Sequence, residues 1–244
     1  MDALARHVGP VVYELSVEDL RGTALSDFTH ETIAVDLDPD ERSIYRATRG
    51  VFAAYYSAKQ YELPGIGWRE LVRTAQRSEI GREALTAWRA SRALLAYPTG
   101  KRAALRALIE KHASDRVLVF TADNTTAYAI ARELLVMPIT CDIGRKERAD
   151  MLERFQTGES SVLVSAQVLD EGFDVPDAEV AILVGGTASQ RRQVQRIGRV
   201  LRPRPGKHAM VYELVVRATS EVRQVAARRG VTQTGLARSL EAWS

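Results

Sequence analysis

Hydrophobic residues recur along this chain with two different periods, and the changes of period divide the chain into regions. Short apolar and β-branched runs bounded by turn residues predict strands. Such runs lie at residues 11–13, 32–37, 116–121, 138–141, 162–165, 180–184 and 209–216. Runs that are apolar throughout are typical of strands buried on both faces of a parallel sheet.

Helical spacing of the apolar residues alternates with these strands in the later part of the chain. It predicts helices at residues 125–135, 145–155 and 189–201. Repeated β-α-β units bury their apolar faces as a parallel sheet covered by helices, so we predict an α/β fold for residues 97–217. The basic tail at 218–244 is weakly patterned and is expected to be a helix or a disordered end.

A helical insertion is predicted at residues 38–96, which contain no β-rich run. Asp38 is placed to cap a helix that begins at Pro39, and a second helical stretch is predicted over residues 68–95. Aromatic residues are frequent here, at Tyr45, Phe52, Tyr55, Tyr56, Tyr61, Trp68 and Trp88. For Tyr55 and Tyr56 two interpretations stay open, stacking on unpaired bases and packing in a core. Residues 1–37 are then a linker and the first strand of the α/β domain.

Composition changes this picture little. The chain has 244 residues, 45% of them hydrophobic and 27% charged, as in an ordinary soluble globular protein. No apolar run is long enough to span a membrane and no signal-peptide pattern is present, so we expect a cytoplasmic protein. One cysteine excludes an internal disulfide, and four scattered histidines predict no metal site. The net charge of +3 is too small to indicate nucleic-acid binding by itself.

The strongest local signal is the segment 195–202, which lies inside a basic run. Residues 187–208 contain seven arginines or lysines and neither aspartate nor glutamate. Arg199 and Arg202 are three residues apart, so on a helix their guanidinium groups leave the same face. Two forked, permanently charged groups suit a polyphosphate. The alternative is a pair of exposed arginines in surface salt bridges.

An acidic loop at residues 169–176 follows the predicted strand 162–165. Ligands of open parallel sheets lie beyond the carboxyl ends of the strands, so this loop is well placed for binding. Gly172 would let a ligand approach the backbone, and Asp174 would accept hydrogen bonds from ribose hydroxyls, with Glu171 as a third candidate. The alternative is a solvated acidic loop.

Polar residues at the ends of the predicted strands are candidates for contact with nucleic acid. They are Thr121, Asn124, Ser165, Gln167 and Thr187. Short hydroxyl and amide side chains near backbone N–H groups suit phosphate oxygens, which position a nucleic acid without reading its sequence. Each of these residues is equally well explained as a turn former, and Gly185-Gly186 suits any tight turn.

The sequence contains no complete phosphate-binding loop. Gly100-Lys101 is similar to the end of the motif G-x-x-x-x-G-K-[ST], but Leu95 stands at its first glycine and Arg102 at its Ser/Thr. No Walker B run is present either. We therefore do not expect this chain to complete an ATPase site alone.

These motifs resemble the second, C-terminal RecA-like domain of superfamily 2 helicases, and in particular that of the XPB type. The matching segments are residues 117–121 (motif IV), 162–176 (motif V), 195–202 (motif VI) and the helical segment 144–158 between motifs IV and V. The run S-A-Q-V-L-D-E-G at 165–172 is similar to XPB proteins of archaea and bacteria. Residues 38–96 stand where those proteins carry a thumb-like insertion that contacts DNA. The resemblance implies a RecA-like parallel sheet flanked by helices.

Residue roles follow from the resemblance. Arg199 and Arg202 would contact the γ-phosphate of ATP across a cleft, and Gln195 would order the attacking water. Gly172 and Asp174 would meet the nucleoside. The residues expected along the DNA backbone are Thr121, Ser165 and Gln167.

The resemblance also implies partners. DNA, as a single strand or a fork, is the expected substrate of an ATP-dependent helicase or translocase. ATP with Mg²⁺ is expected to be held mainly by a first RecA-like domain that this chain lacks, so the chain is either an excised half or pairs with a separate protein. Two alternatives stay open. One is a module that binds DNA or a partner nuclease without energy coupling, and the other is the motor half of a restriction-enzyme or remodeller-type translocase.

Overall fold

The computed structural model describes residues 28–166, 178–185 and 209–228. In chain order these ranges contain β1 (Phe28–Val35), α1 (Pro39–Glu62), α2 (Trp68–Ala75), α3 (Glu79–Ala96), α4 (Thr99–Lys111), β2 (Val117–Phe120), α5 (Asn124–Leu134), β3 (Pro138–Ile139), α6 (Arg145–Thr157), β4 (Val162–Ser165), β5 (Val180–Leu183), β6 (Ala209–Val216) and α7 (Ser220–Arg228). The predicted strand 11–13 and the predicted helix 189–201 lie outside the described residues.

One parallel sheet organises the described part of the chain. Its strand order is β1-β6-β5-β2-β4-β3, and every neighbouring pair is parallel. The prediction of an α/β fold with a parallel sheet is therefore confirmed. Because all strands run the same way, their carboxyl ends meet at one edge of the sheet.

Helices cover both faces of the sheet, because side chains of successive strand residues point to opposite faces. In β2, Val117 and Val119 pack in the cluster that includes residues of α4 and α5. Leu118 and Phe120 pack in a second cluster with Phe155 of α6. Full burial of such a side chain contributes roughly 1.5–3 kcal/mol each, so the two clusters hold the sheet between its helical layers.

The helical insertion is α1, α2 and α3. Asp38 begins α1 with a capping box, as predicted from the sequence: its carboxylate accepts from Glu41 N at 2.8 Å, and Glu41 Oε2 accepts from Asp38 N at 3.1 Å. Between α1 and α3 lies a small core that contains Tyr55. Tyr55 is buried whereas Tyr56 is 40% exposed, so core packing is the correct interpretation for Tyr55.

The helical stretch predicted over residues 68–95 is divided into two helices in the structure. α2 ends at Ala75, and Ser78 begins α3 by accepting a hydrogen bond from Gly81 N at 3.1 Å. A Cβ atom at position 81 would lie 2.3 Å from the Ala75 carbonyl oxygen. Glycine therefore allows the end of α2 to press against the start of α3, a contact that helical periodicity does not reveal.

Helix α4 was not predicted, since its start lacks a local capping signal. Pro98 precedes it and supplies no side-chain cap. The cap comes instead from α1: Glu41 Oε1 accepts from Thr99 N at 2.8 Å and from Thr99 Oγ1 at 2.9 Å. Thr99 Oγ1 also lies 3.2 Å from Asp38 Oδ2. The start of α1 is thereby fixed to the start of α4.

Two further features complete the described fold. The predicted tail after residue 217 begins with the helix α7, which packs on the sheet through Val222 and Val225. No helix in residues 28–166, 178–185 or 209–228 has the length and hydropathy that crossing a membrane requires.

Candidate nucleic-acid interface

Three central strands end side by side at the carboxyl edge of the sheet. Phe120 of β2 is in register with Ser165 of β4 and with Leu183 of β5. The backbone pairing continues one residue further, with Thr121 N donating to Ser165 O at 2.9 Å and Val184 N to Phe120 O at 3.0 Å. The residues that follow the three strands therefore lie next to one another.

Glycine favours the close approach of two loops at this edge. A Cβ atom at position 185 would lie 3.0 Å from Ala122 Cβ and 3.1 Å from Ala122 N. Gly185 thus lets the segment after β5 pass against the segment after β2. Ala166 and Gly185, the last described residues after β4 and β5, both lie at this edge.

The hydroxyl groups of Thr121 and Ser165 point into the protein. Both side chains are buried. Thr121 Oγ1 donates to Asp123 O at 2.8 Å, and Ser165 Oγ donates to Ala166 O at 2.8 Å. In the described structure both hydroxyls therefore stabilise the turns that follow their strands. Direct contact of these residues with a phosphate stays a prediction.

Asn124 is partly exposed at the same edge and links two loops. Its Nδ2 donates to Cys141 Sγ at 2.9 Å and to Asp142 Oδ2 at 3.1 Å. Asp123 caps α5, accepting from Thr126 N at 2.8 Å and from Thr126 Oγ1 at 3.0 Å. A carboxylate therefore already occupies the amino end of α5, which otherwise attracts anions.

An open cleft of about 640 Å³ separates the helical insertion from the carboxyl edge. Its helical wall carries Trp88, Arg89 and Arg92 of α3, and its floor includes Ala122 and Gly185. Arg89 and Arg92 are exposed and three residues apart, so both guanidinium groups reach the cleft. Arginine guanidinium groups beside backbone atoms suit the phosphates of a nucleic-acid strand.

Sequence reasoning missed these two arginines as site residues. They are spread along a helix that also contains acids, so no basic run marks them. The sequence does contain one relevant pattern: Trp88 and Arg92 are four residues apart, which places their side chains on the same face of a helix. In the structure the Arg92 guanidinium carbon lies 5.5 Å from the centroid of the Trp88 ring.

Lys101 lies behind the cleft and forms a joint, by which we mean a point where one side chain holds several elements of the fold together. Its ammonium group is fully buried and donates to Leu95 O at 2.9 Å, Val184 O at 2.8 Å and Glu221 Oε1 at 2.7 Å. Glu221 Oε2 in turn accepts from Val216 N at 2.9 Å. These contacts occupy the ammonium group, so the likeness of Gly100-Lys101 to a phosphate-binding loop does not extend to its chemistry. Lys101 instead joins the end of α3 to the end of β5 and to α7.

Tyr97 stabilises the junction between α3 and α4. Burial, and after it the Glu133 carboxylate, raises the pKa of Tyr97 above its usual range. The phenol therefore stays protonated and donates to Glu133 Oε2 at 3.1 Å. The Arg102 guanidinium carbon lies 5.1 Å from the centroid of the tyrosine ring. These contacts hold the end of α3, where the insertion meets the α/β domain, against α4 and α5.

Most of the sequence-predicted site lies outside the described residues. Those residues are Gln195, Arg199, Arg202, Gly172, Asp174, Glu171, Gln167 and Thr187. Among the described candidates, the structure brings Thr121, Ser165 and Asn124 to one edge of the sheet. The roles assigned to all of these residues stay predictions.

Comparison with known proteins agrees with the motifs. Residues 100–204 match the family described as Helicase conserved C-terminal domain. The DNA 3'-5' translocase XPB2 of Sulfurisphaera tokodaii is 34% identical over 223 residues, covering 91% of this chain and 51% of the relative. The DNA 3'-5' helicase XPB of Mycobacterium tuberculosis is 31% identical over 131 residues, covering 53% of this chain and 24% of the relative. The chain thus spans about half of the first relative and about a quarter of the second.

A solved structure shares the fold. The SWI2/SNF2 ATPase core of Sulfolobus solfataricus, solved in complex with dsDNA, aligns with a TM-score of 0.57 over 88% of this chain and 48% of its own. Its sequence identity is 18%, so the likeness concerns the fold alone.

Proposed function

Because this chain belongs to the helicase conserved C-terminal domain family and is a C-terminal domain of the XPB type, we propose that it is the motor half of an ATP-dependent DNA helicase or translocase. In this proposal it supplies arginine fingers and part of the DNA-binding surface. ATP with Mg²⁺ is held mainly by a first RecA-like domain. The observation that carries the proposal is the arginine-lined cleft at the carboxyl edge of the sheet, in a chain of this family.

The proposed role in phosphoryl transfer rests on Arg199 and Arg202. Phosphoryl transfer depends mostly on positioning and on neutralising charge, and an arginine finger contributes roughly 10³- to 10⁵-fold in rate. Gln195 would orient the attacking water, and Gly172 and Asp174 would contact the nucleoside. In support, Ala166 and Gly185, the last described residues before these candidates in the sequence, both lie at the carboxyl edge of the sheet.

The proposed DNA surface is the same edge together with the helical wall of the cleft. Asn124 is partly exposed there, and Arg89 and Arg92 face the cleft from α3. Backbone N–H groups, amides and arginines hold phosphates without reading sequence, as a translocase requires. Closure of the two motor domains around ATP, and release after hydrolysis, would then move the strand. A nuclease partner is an additional prediction of the resemblance.

Reconstitution of the divided site tests the proposal. The full chain is mixed with a separately produced first RecA-like domain of the S. tokodaii relative, and DNA-stimulated ATP hydrolysis is measured. We expect hydrolysis in the mixture and a loss of roughly 10³-fold in Arg199→Ala and in Arg202→Ala. Arg132→Ala, which removes an exposed arginine of α5, is the matched control and should retain the activity.

Two results would contradict the proposal. Hydrolysis that is restored but insensitive to both finger substitutions would refute the assignment of Arg199 and Arg202. A chain that binds DNA but never stimulates hydrolysis would instead be a DNA-binding module without energy coupling.

A further inference from the structure

Lys101 holds three sides of the arginine-lined cleft together from behind. On the helical wall it donates to Leu95 O at 2.9 Å, three residues after Arg92. Next to the floor it donates to Val184 O at 2.8 Å, at the end of β5. Its third acceptor, Glu221 Oε1 at 2.7 Å, belongs to α7, which also lines the cleft. One side chain therefore sets the spacing of the wall, the floor and α7.

The hydrogen bonds of this joint fix its geometry. Three acceptors from three elements use the three donors of the ammonium group. Val184 is held from two sides, because its N–H donates to Phe120 O of β2 at 3.0 Å while its carbonyl accepts from Lys101. The second carboxylate oxygen of Glu221 accepts from Val216 N at 2.9 Å. A buried polar network whose members are satisfied in this way specifies one arrangement of its elements.

Stability alone does not account for a fully buried lysine at this place. Taking an ammonium group and a carboxylate out of water costs about as much as their attraction returns, so an apolar pair of the same volume would often be as stable. Hydrophobic contacts, however, have no preferred direction. The ion pair differs from an apolar pair in that it aims three donors at three fixed acceptors.

The insertion is also fastened to the α/β domain through α1. Tyr45 of α1 is buried, and its Oη accepts from Ser220 N of α7 at 3.0 Å. Glu41 of α1 accepts from Thr99 N of α4 at 2.8 Å. These two contacts tie the insertion to helices, whereas the contact made by Lys101 ties it to the end of a central strand. The connection between the insertion and the carboxyl edge therefore depends on Lys101.

We propose that Lys101 is a positioning residue that couples DNA held by the cleft wall to ATP hydrolysis. Arg89 and Arg92 on α3 are proposed phosphate contacts, and the segment that follows β5 in the sequence contains Arg199 and Arg202. When DNA binds to the wall, the joint makes α3 and the end of β5 move together. This inference rests on the proposed function, since it names the side chain that links two parts of the same site.

Kinetics of the reconstituted mixture test the coupling. Lys101→Met is combined with the first RecA-like domain of the S. tokodaii relative, and ATP hydrolysis is followed as the concentration of a forked DNA is raised. We expect the DNA-stimulated kcat to fall roughly tenfold, because small displacements of groups that act on the reacting phosphate are costly. The DNA concentration for half-maximal stimulation should change by less than about twofold, since Arg89 and Arg92 stay on an intact helix.

Leu105→Ala is the matched control for lost stability. Leu105 lies on the same helix as Lys101 and is fully buried, so its truncation leaves a cavity and destabilises the protein comparably. It leaves the three hydrogen bonds of Lys101 in place and should retain the wild-type kcat. All rates are measured at a temperature at which circular dichroism shows each variant to be folded.

A double variant keeps the test decisive if Lys101→Met does not fold. Lys101→Met combined with Glu221→Gln leaves no unpaired buried charge, and the glutamine oxygen still accepts from Val216 N. The double variant should therefore be more stable than Lys101→Met, yet it should show the same low kcat, because the donors are still missing.

Hydrogen exchange of the chain alone measures the positioning without ATP or DNA. Peptides that cover residues 180–185 should exchange roughly tenfold faster in Lys101→Met than in Leu105→Ala, because the end of β5 opens locally when its carbonyl loses the donor. Peptides that cover β4 should exchange alike in the two variants.

The outcomes separate this inference from the proposed function. If the wild-type mixture is active and Lys101→Met has the same kcat as Leu105→Ala, or if the double variant regains the wild-type kcat, Lys101 only stabilises the fold and the inference is overturned. Equal exchange at residues 180–185 in Lys101→Met and Leu105→Ala also overturns it. If the wild-type mixture does not hydrolyse ATP, the proposed function is refuted and the coupling with it, while the exchange measurement still shows whether Lys101 holds the end of β5.

Discussion

Replacing Lys101 by methionine removes a buried charge at the joint between the insertion and the sheet. Methionine matches the lysine side chain as far as Cε but has no ammonium group, so it cannot donate to Leu95 O, Val184 O or Glu221 Oε1. The carboxylate of Glu221 then loses its cation. Removing one partner of a buried ion pair costs about 3–5 kcal/mol, because the other charge stays buried and uncompensated.

The expected magnitude lies at the lower end of that range. Glu221 is partly exposed and keeps its hydrogen bond from Val216 N at 2.9 Å, so part of its charge remains solvated. We therefore expect Lys101→Met to lower the free energy of unfolding by about 3 kcal/mol. A double variant with Glu221→Gln should cost less than the sum of the two single substitutions, since the pair is coupled.

Urea unfolding followed by far-UV circular dichroism measures this loss. The matched control is Arg154→Ala on α6. The Arg154 side chain is 56% exposed, and the Asp150 and Glu159 carboxylates that it meets are 62% and 64% exposed. An exposed pair of this kind contributes at most about 1 kcal/mol. If Lys101→Met costs no more than Arg154→Ala, the buried ammonium group is not a joint and the reasoning is refuted.

Two further substitutions test the described contacts. Burial alone would raise the pKa of Glu179, but hydrogen bonds from the Arg116 side chain and backbone outweigh it and hold the pKa below its ordinary value. Glu179→Gln should therefore lower the free energy of unfolding above about pH 4. The difference in this free energy between variant and wild type should vanish as the pH falls through the lowered pKa of Glu179. A difference that does not depend on pH in urea unfolding would contradict this. Gly81→Ala should cost about 2 kcal/mol, because its Cβ would meet Ala75 O at 2.3 Å. Gly50→Ala, at an open helical position, should be neutral or stabilising when both glycine variants are measured by urea unfolding.

The strands of the α/β core were predictable because their signal is local. The apolar runs 162–165 and 209–216 coincide with β4 and β6, and Asp38 caps α1 as expected. Helices α2 and α3 were not separated, and α4 was not predicted. The start of α4 is capped by Glu41, which is 58 residues away in sequence, so no local pattern marks it.

The candidate site, like the fold, could be predicted from the sequence only in part. The sequence indicates which residue types could contact phosphates, since Arg199 and Arg202 share a spacing and Thr121 and Ser165 end strands. It does not show that the last two hydroxyls are buried and already donate to carbonyls. Burial depends on neighbours from other strands, which periodicity within one strand does not reveal.

By itself, the sequence determined the α/β class, the helical insertion and the motif that resembles an arginine finger, because these follow from periodicity and spacing along the chain. Only the tertiary structure decided that Lys101 is a buried joint, that Tyr55 is core and Tyr56 is partly exposed, and that arginines of α3 face the carboxyl edge. The physical reason is distance: Lys101 meets Glu221 from 120 residues away. Contacts of that range arise when elements pack, and no single stretch of the chain contains them.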